Sequence, residues 1–376
     1  MKIMYVSHTL PPDNAILKNI GGMQRVSLQL LNELKRREDI ELIDVTLKAP
    51  WKWVGPLTAW FMIKQLFKIP DIVRRKKPDV ILFSSMVTAS MAYFLRKRVD
   101  VPMITINHGQ DVTLPIGIYQ KFIPKIFKSL DGVISVSSAT REQCIIRGMS
   151  ENQGVALPNG FPADEHKNLS DSEKSKNYIQ EKFQINLKNK YLLLTVGRLV
   201  RRKGHYWFIE KVLPKIKTDV VYVVIGDGPE LNNVRKLISH SPVKENIILL
   251  GRQPDEVLHH AYSAADLFIM PNIKVYGDME GFGIVLLEAN NSGTPAIASK
   301  LEGIQDVVKK GVNGFLIEPG NHKKFADKVD KVLQNGLQDL SRKSQTYVKN
   351  NFNWENVVNQ YLDYVQLVVD GYRRSN

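Results

Sequence analysis

The sequence predicts two α/β domains in tandem, each built on a parallel sheet. At 376 residues the chain is too long for one ordinary core, and domains of roughly 150–200 residues are the usual solution. Short apolar runs alternate with helical patterns along the chain, the sign of βα units. That alternation breaks once, over the polar and charged residues 162–190, and then starts afresh.

In chain order, the first half offers strands in KIMYVSH (2–8), IELIDVTL (40–47), VILFSS (80–85), MITINH (103–108) and GVISVSS (132–138), and PNGF (158–161) closes it. About a dozen residues separate the first strand from the first helix, where such loops usually hold ~2–6. Gly21 and Gly22 then open an amphipathic helix, GGMQRVSLQLLNEL. Glycines there let backbone N–H groups approach an anion at a helix N-terminus, although a glycine-softened loop without a ligand would read the same way. The front of 162–190 reads as an interdomain linker and its back as a helix opening the second half. Strands follow in YLLLTVGRL (191–199), VVYVVIGDG (220–228), NIILLGR (246–252), LFIMP (267–271), PAIAS (295–299) and GFLIEP (314–319). Open sheets of this kind bind ligands beyond the carboxyl ends of their strands, and the cleft between two such domains is the natural site.

Lys plus Arg number 52 against 38 acidic residues, a formal charge of +14. Residues 48–128 hold 14 Lys/Arg against four Asp, so the surplus concentrates in the first half. A localised basic face calls for a polyanionic partner: nucleic acid, anionic lipid or a phosphate-rich ligand. The single cysteine, Cys144, excludes an intramolecular disulfide, offers no zinc cluster and suits a reducing compartment. MKIMYVSHTLPPD has too short an apolar run for a signal peptide, and no stretch of 18 apolar residues exists, so a cytoplasmic location is expected.

Three loops at strand ends suit a phosphate ligand. VGRLVRRKGHYWFIE places Arg198, Arg201, Arg202, Lys203 and Gly204 after a buried strand, where cations would neutralise a diphosphate. A solvated basic turn is the alternative. VVYVVIGDGPEL approaches a dinucleotide fingerprint, but Leu231 stands where the third glycine belongs, which disfavours a nicotinamide or flavin cofactor. Gly226 and Gly228 still permit a ligand close to the backbone. In DMEGFGIVLLEANNSGTPAIAS, Gly281 to Gly283 are expected to start a helix whose core face is Ile284, Val285, Leu286, Leu287 and Ala289. At ~1.5 Å per residue, Glu280 and Glu288 would lie roughly 12 Å apart along the axis. That is about the span from the sugar of a nucleotide-sugar to its ribose, with first-turn N–H groups toward the diphosphate. One dipole-matching glutamate and one surface glutamate is the plainer alternative.

Glu280 and Glu288 in EGFGIVLLEANNSGTPAIAS, with VGRLVRRKG, GDGPEL and GGMQRV at these intervals, resemble the retaining glycosyltransferases of family 4. The resemblance covers essentially the whole chain, including FNWENVVNQYLDYV near the end. It implies the GT-B fold, two Rossmann-like domains facing across a cleft: 1–165 on the acceptor side and 166–352 binding the nucleotide-sugar. A terminal helix of about 353–376 would cross back to the first domain. It also implies that Arg198 and Lys203 bind the donor diphosphate, with Gly22 and Gly21 contacting it from the first domain. Glu288 would hold the ribose hydroxyls, while Glu280 and the amides of Gly281, Phe282 and Gly283 would meet the donor sugar. Gly226 and Gly228 join the donor-binding set, and Arg252 lies where family members hold the base. His108, in INHGQD, matches a histidine near the transferred sugar; a structural histidine is the alternative.

The expected cofactor set is empty: the nucleotide-sugar, GDP- or UDP-linked, is a substrate. No Asp-x-Asp occurs, which fits a metal-independent site where Arg and Lys replace a divalent ion. Preorganised cations and amides are the direct way to stabilise a departing nucleoside diphosphate. Retention is implied by the resemblance alone. No carboxylate nucleophile is evident, which favours same-face attack by the acceptor with the leaving phosphate as base. The family often has a short Pro-Ser segment where this chain has PNIKVYGDMEGFG, a longer form similar to mannosyltransferase-like members using GDP-mannose. Arg201 and Arg202 beside Lys203 would also reshape the phosphate grip.

Residues 48–77 interleave three Trp and two Phe with Lys and Arg, which reads as a face for anionic membrane. Lys121, Lys125 and Lys128 would extend it. A first-domain helix burying its aromatics is the alternative. No nucleic-acid module is evident, so a saccharide or lipid-linked saccharide is the expected acceptor, reached peripherally on the inner face of the membrane. Rival readings keep the fold as a sugar-nucleotide epimerase or phosphorylase, or as a non-catalytic saccharide-binding protein. Intact Arg198, Lys203, Glu280 and Glu288 argue against a relic.

Overall fold

Near-continuous apolar runs form the strands of two all-parallel sheets, whose faces are covered by the crossover helices. The structure, a computed structural model, describes residues 1–12, 22–49, 51–162 and 171–375; Gly21, most of the first long loop and the front of the polar stretch lie outside them. The chain divides into two units, Met1–Gly160 with Trp354–Asn376, and Phe161–Asn353.

The first unit holds β1 (Lys2–Leu10), β2 (Glu41–Lys48), β3 (Val80–Phe83), β4 (Met103–Asn107), β5 (Gly132–Ser135) and β6 (Gly154–Ala156), in the order β2-β1-β3-β4-β5-β6. Only β6 has no counterpart among the predicted strands. Helix Gly22–Arg36 turns Val26, Leu30, Leu31 and Leu34 inward. Helix Trp354–Ser375 also belongs to this unit. Its Tyr364 hydroxyl accepts from Val133 N (3.2 Å) and donates to Gln153 O (2.7 Å), and Tyr361 donates to Pro158 O (3.1 Å). Gly160 is bare because Trp354 lies against it: a Cβ there would meet the indole at 2.3 Å.

Helix Trp51–Lys76 answers the question of its aromatics with two stripes. Val54, Thr58, Phe61, Gln65 and Ile69 are buried, whereas Trp53, Leu57, Trp60, Ile63 and Phe67 are exposed. Each set recurs every three or four residues, so each lies along one helix face. Pro70 has no N–H to give the carbonyl four residues back. That carbonyl, Leu66 O, accepts instead from Arg98 Nη1 at 2.7 Å.

The second unit holds β7 (Tyr191–Val196), β8 (Val220–Ile225), β9 (Ile247–Gly251), β10 (Leu267–Met270), β11 (Ala296–Ser299) and β12 (Gly314–Ile317), in the order β12-β11-β10-β7-β8-β9. From β7 the chain proceeds outward in one direction, and from β10 in the other. The loops leaving β7 and β10 therefore diverge around a switch point, the usual ligand position on such a sheet. Within the first unit the same reversal falls between β1 and β3.

Candidate active site

At the switch point of the second unit, the loop after β7 meets the segment after β10. Gly197 (φ 153) leads out of β7 to the exposed Arg198, and a short turn, Arg201–Lys203, follows. Lys203 is buried, with Nζ 2.6 Å from Glu280 Oε2. Asn272 Nδ2 donates to the same oxygen at 3.1 Å. Arg202 Nε lies 3.4 Å from Asp278 Oδ1 and 3.8 Å from Glu280 Oε2. Burial alone would raise the Glu280 carboxyl, but Lys203 and Arg202, with the hydrogen bonds from Lys203 and Asn272, outweigh it and hold it below the usual range. Glu280 is thus a buried, charged carboxylate matched to two cations.

The close approach depends on Gly204. It stands at φ 68, and a Cβ there would lie 1.9 Å from Pro271 O. Gly204→Ala is expected to cost about 3 kcal/mol, read as a lowered urea midpoint, because both the left-handed backbone and the contact resist a side chain.

The sequence expectation of one helix carrying both glutamates is corrected here. The helix is Ile284–Asn291, and its cap Gly283 stands at φ 92 in the left-handed region. Glu280, Gly281 and Phe282 precede that turn in irregular backbone, so the axial spacing derived for a shared helix does not apply. Leu286, Leu287 and Ala289 are buried on its core side, whereas Ile284 and Val285 are only half-buried. Glu288 is half-buried, and its Oε2 accepts from the Tyr262 hydroxyl at 2.7 Å. Tyr262 itself is buried, so this carboxylate is held in place before any ligand arrives.

Gly226 and Gly228 have a packing reason of their own. A Cβ on Gly226 would lie 1.8 Å from Gly197 O, and one on Gly228 would lie 2.4 Å from Leu199 O. Their bareness lets the β8 loop seat the β7 loop that carries Arg198. Arg252 is exposed just past β9.

In the first unit, His108 follows β4. Its Nε2 is 3.0 Å from Ser84 O, and its backbone N–H donates to Asp111 Oδ1 at 2.8 Å. Asp111 Oδ2 takes Met86 N at 2.9 Å, so one carboxylate ties the ends of β3 and β4 together. His8, near the end of β1, is a further histidine in this polar cluster, its Nδ1 3.4 Å from Ser85 Oγ. Burial, with His108 adding to it, pushes His8 down to about 4, so it is neutral at physiological pH. Gly22 is exposed at the start of its helix, and Gly21 lies outside the described residues. Sequence reasoning missed His8, Asn272 and Tyr262. Only His8 left a signal, a polar Ser-His-Thr at the end of a buried strand.

Residues 177–353 match the family described as glycosyl transferases group 1, and residues 20–165 match Glycosyltransferase Family 4. The chain belongs to the family-4-type glycosyltransferases, enzymes that use nucleotide sugars, and its two parallel sheets are those of the GT-B fold. It is similar to the UDP-Gal:alpha-D-GlcNAc-diphosphoundecaprenol alpha-1,3-galactosyltransferase of Escherichia coli, 25% identical over 93% of this chain and 95% of that one. An uncharacterised glycosyltransferase of Methanocaldococcus jannaschii is 27% identical over 90% of this chain and 88% of that one. Among solved structures, Anabaena HepE in complex with UDP matches with a TM-score of 0.73 at 18% identity, covering 97% of this chain and 100% of that one. Among the described residues no helix is long and apolar enough to cross a membrane.

Proposed function

We propose that the protein is a metal-independent, retaining hexosyltransferase that moves a hexose from a UDP- or GDP-linked donor to a saccharide carried on a membrane lipid, in envelope polysaccharide or glycolipid synthesis. The observation that supports this best is the buried Lys203–Glu280 pair, with Arg202 and Asn272 around it, at a sheet switch point. Arg198 and Lys203 would meet the charge that gathers on the departing diphosphate, in place of a divalent ion. Glu280 and the amides of Gly281, Phe282 and Gly283 would contact the hexose. Glu288, held by Tyr262, would take the ribose hydroxyls. The acceptor hydroxyl would attack the anomeric carbon on the face the diphosphate leaves. Its proton would pass to a leaving phosphate oxygen. The roles of His108 near the sugar, of Gly21, Gly22, Gly226 and Gly228 at the donor, and of Arg252 at the base rest on family likeness.

A UDP donor and a lipid-diphosphate acceptor are supported by likeness to the E. coli galactosyltransferase, and UDP again by the HepE complex. GDP-mannose is the second reading, supported by the long serine-free segment PNIKVYGDMEGFG.

Peripheral binding to anionic membrane through residues 48–77 belongs to the same reading. Beside the exposed Trp53, Trp60, Ile63 and Phe67, the side chains of Tyr93, Phe94 and Ile118 are exposed too. Helices Trp51–Lys76, Ala92–Leu95 and Gly117–Phe127 contact one another in series, and together they hold eight Lys/Arg against one acid. Lys64 Nζ stands 4.5 Å over Trp60, and the Arg98 guanidinium 5.7 Å over Phe67. Aromatics ringed by cations suit a headgroup boundary with anionic lipid.

Calorimetric titration with UDP, GDP and ADP tests the donor reading. One of the three should bind selectively. Glu288→Ala should weaken it about 30- to 100-fold, the loss of charge-assisted hydrogen bonds to the ribose. If none binds wild type, the donor site is elsewhere or absent.

A further inference from the structure

Non-glycine residues seldom occupy left-handed backbone, because Cβ crowds the carbonyl oxygen. Glu302, just past β11, stands there at φ 49. Residues held this way persist where surrounding structure fixes them, and they gather at ligand sites. What fixes Glu302 is its own carboxylate: Oε2 accepts the backbone N–H of Glu280 at 2.5 Å. The next residue, Gly303, donates its N–H to Glu280 O at 3.1 Å. A Cβ on Gly303 would lie 2.1 Å from Gly281 O, so the turn lies directly against the segment it holds.

Both backbone polar groups of Glu280 are therefore held by one turn, while its side chain is held by Lys203 and Asn272. Burial raises the Glu302 carboxyl; the Glu280 amide and Arg202 work against that, and the Glu280 and Asp278 carboxylates add to it. Glycine would adopt this backbone without strain, so what the position uses is the side chain.

We propose that Glu302 is a positioning residue for sugar transfer: by taking the Glu280 amide it sets where the Glu280 carboxylate and the amides of Gly281 to Gly283 stand toward the donor sugar. This rests on the donor-site reading above. Nothing in the role requires Glu302 to touch substrate. The effect should fall on the hexose end of the donor, with the nucleoside diphosphate held as before by Glu288 and the cations.

Glu302→Gly separates positioning from folding, because it removes the carboxylate and relieves the backbone at once. Its Tm should equal or exceed that of wild type, while kcat falls about tenfold and nucleoside-diphosphate affinity is unchanged. Hydrogen exchange in a peptide spanning 278–283 should accelerate. Glu302→Gln, which keeps an acceptor oxygen at the same reach, should recover most of the lost kcat. Unchanged exchange and kcat in Glu302→Gly would overturn the proposal, and so would a fall in Tm that accounts for the lost activity. Accelerated exchange in a protein whose wild type binds no nucleoside diphosphate would overturn the donor reading and confine Glu302 to holding the segment.

Discussion

Lys203→Met should lose about 100- to 1000-fold in kcat and about 3–5 kcal/mol of stability. The rate term is the loss of a preorganised cation at the departing diphosphate. The stability term comes from what remains, a buried Glu280 carboxylate with Asn272 at 3.1 Å and Arg202 no nearer than 3.8 Å. Adding Glu280→Gln should restore most of the stability, since a neutral amide still accepts from Asn272, yet transfer should stay lost. Urea unfolding of the single and double variants measures this. A double variant as unstable as the single one would show that the pair is not the source. The pH dependence has a definite sign. Glu280 is depressed in the folded protein, so its contribution is present above the unfolded-state pKa and is lost as pH falls through the folded one. Wild type should keep it through mildly acidic pH and lose it only below the usual glutamate range. In Lys203→Met burial prevails and the carboxyl takes up a proton at higher pH. The stability gap between wild type and variant should therefore narrow on acidification.

Strands were legible because a covered parallel sheet needs apolar runs; the edge strand β2, ELIDVTLK, alternates instead and was still readable, whereas among the described residues β6, Gly154–Ala156, is too short to register. The charges at strand ends were legible for the same reason, since Arg198 comes just after a buried run and Lys203 closes the basic turn that follows. What the sequence did not disclose is set by tertiary approach. Gly283 could have been a helical residue or a left-handed cap, and only the packed chain, with Leu286 inward, selects the cap. Tyr262 and Asn272 lie 26 and 8 residues from the glutamates they hold, with no shared period to link them. Glu302 is 22 residues from Glu280, on a turn whose conformation a glutamate ordinarily avoids. The aromatics of residues 51–76 could not be divided from composition, because both faces of that helix carry them. Burial of Phe61 and exposure of Trp60 are decided by what the helix packs against.

That division makes the membrane reading testable without disturbing the fold. Trp60 is 58% exposed and Phe67 67% exposed, so replacing both with Glu removes little buried area. The Tm should move only slightly, as surface substitutions usually stay within about 0.5 kcal/mol. On a lipid surface the same side chains would leave water, and each would contribute about 1.5–3 kcal/mol. The paired substitution should therefore reduce partitioning onto vesicles by at least about 100-fold, before counting repulsion between the new carboxylates and anionic headgroups. Flotation with phosphatidylcholine vesicles containing phosphatidylglycerol measures it. Wild type should float with these, less with phosphatidylcholine alone, and less again at high salt, because Lys64, Lys68 and Arg98 act through screened charge. Nucleoside-diphosphate binding should be untouched in the variant, since the exposed stripe lies on the first unit and Glu288, Arg198 and Lys203 on the second. Wild type that stays with the soluble fraction at low salt would remove the membrane from the reading. The apolar stripe would then be a surface for some other partner.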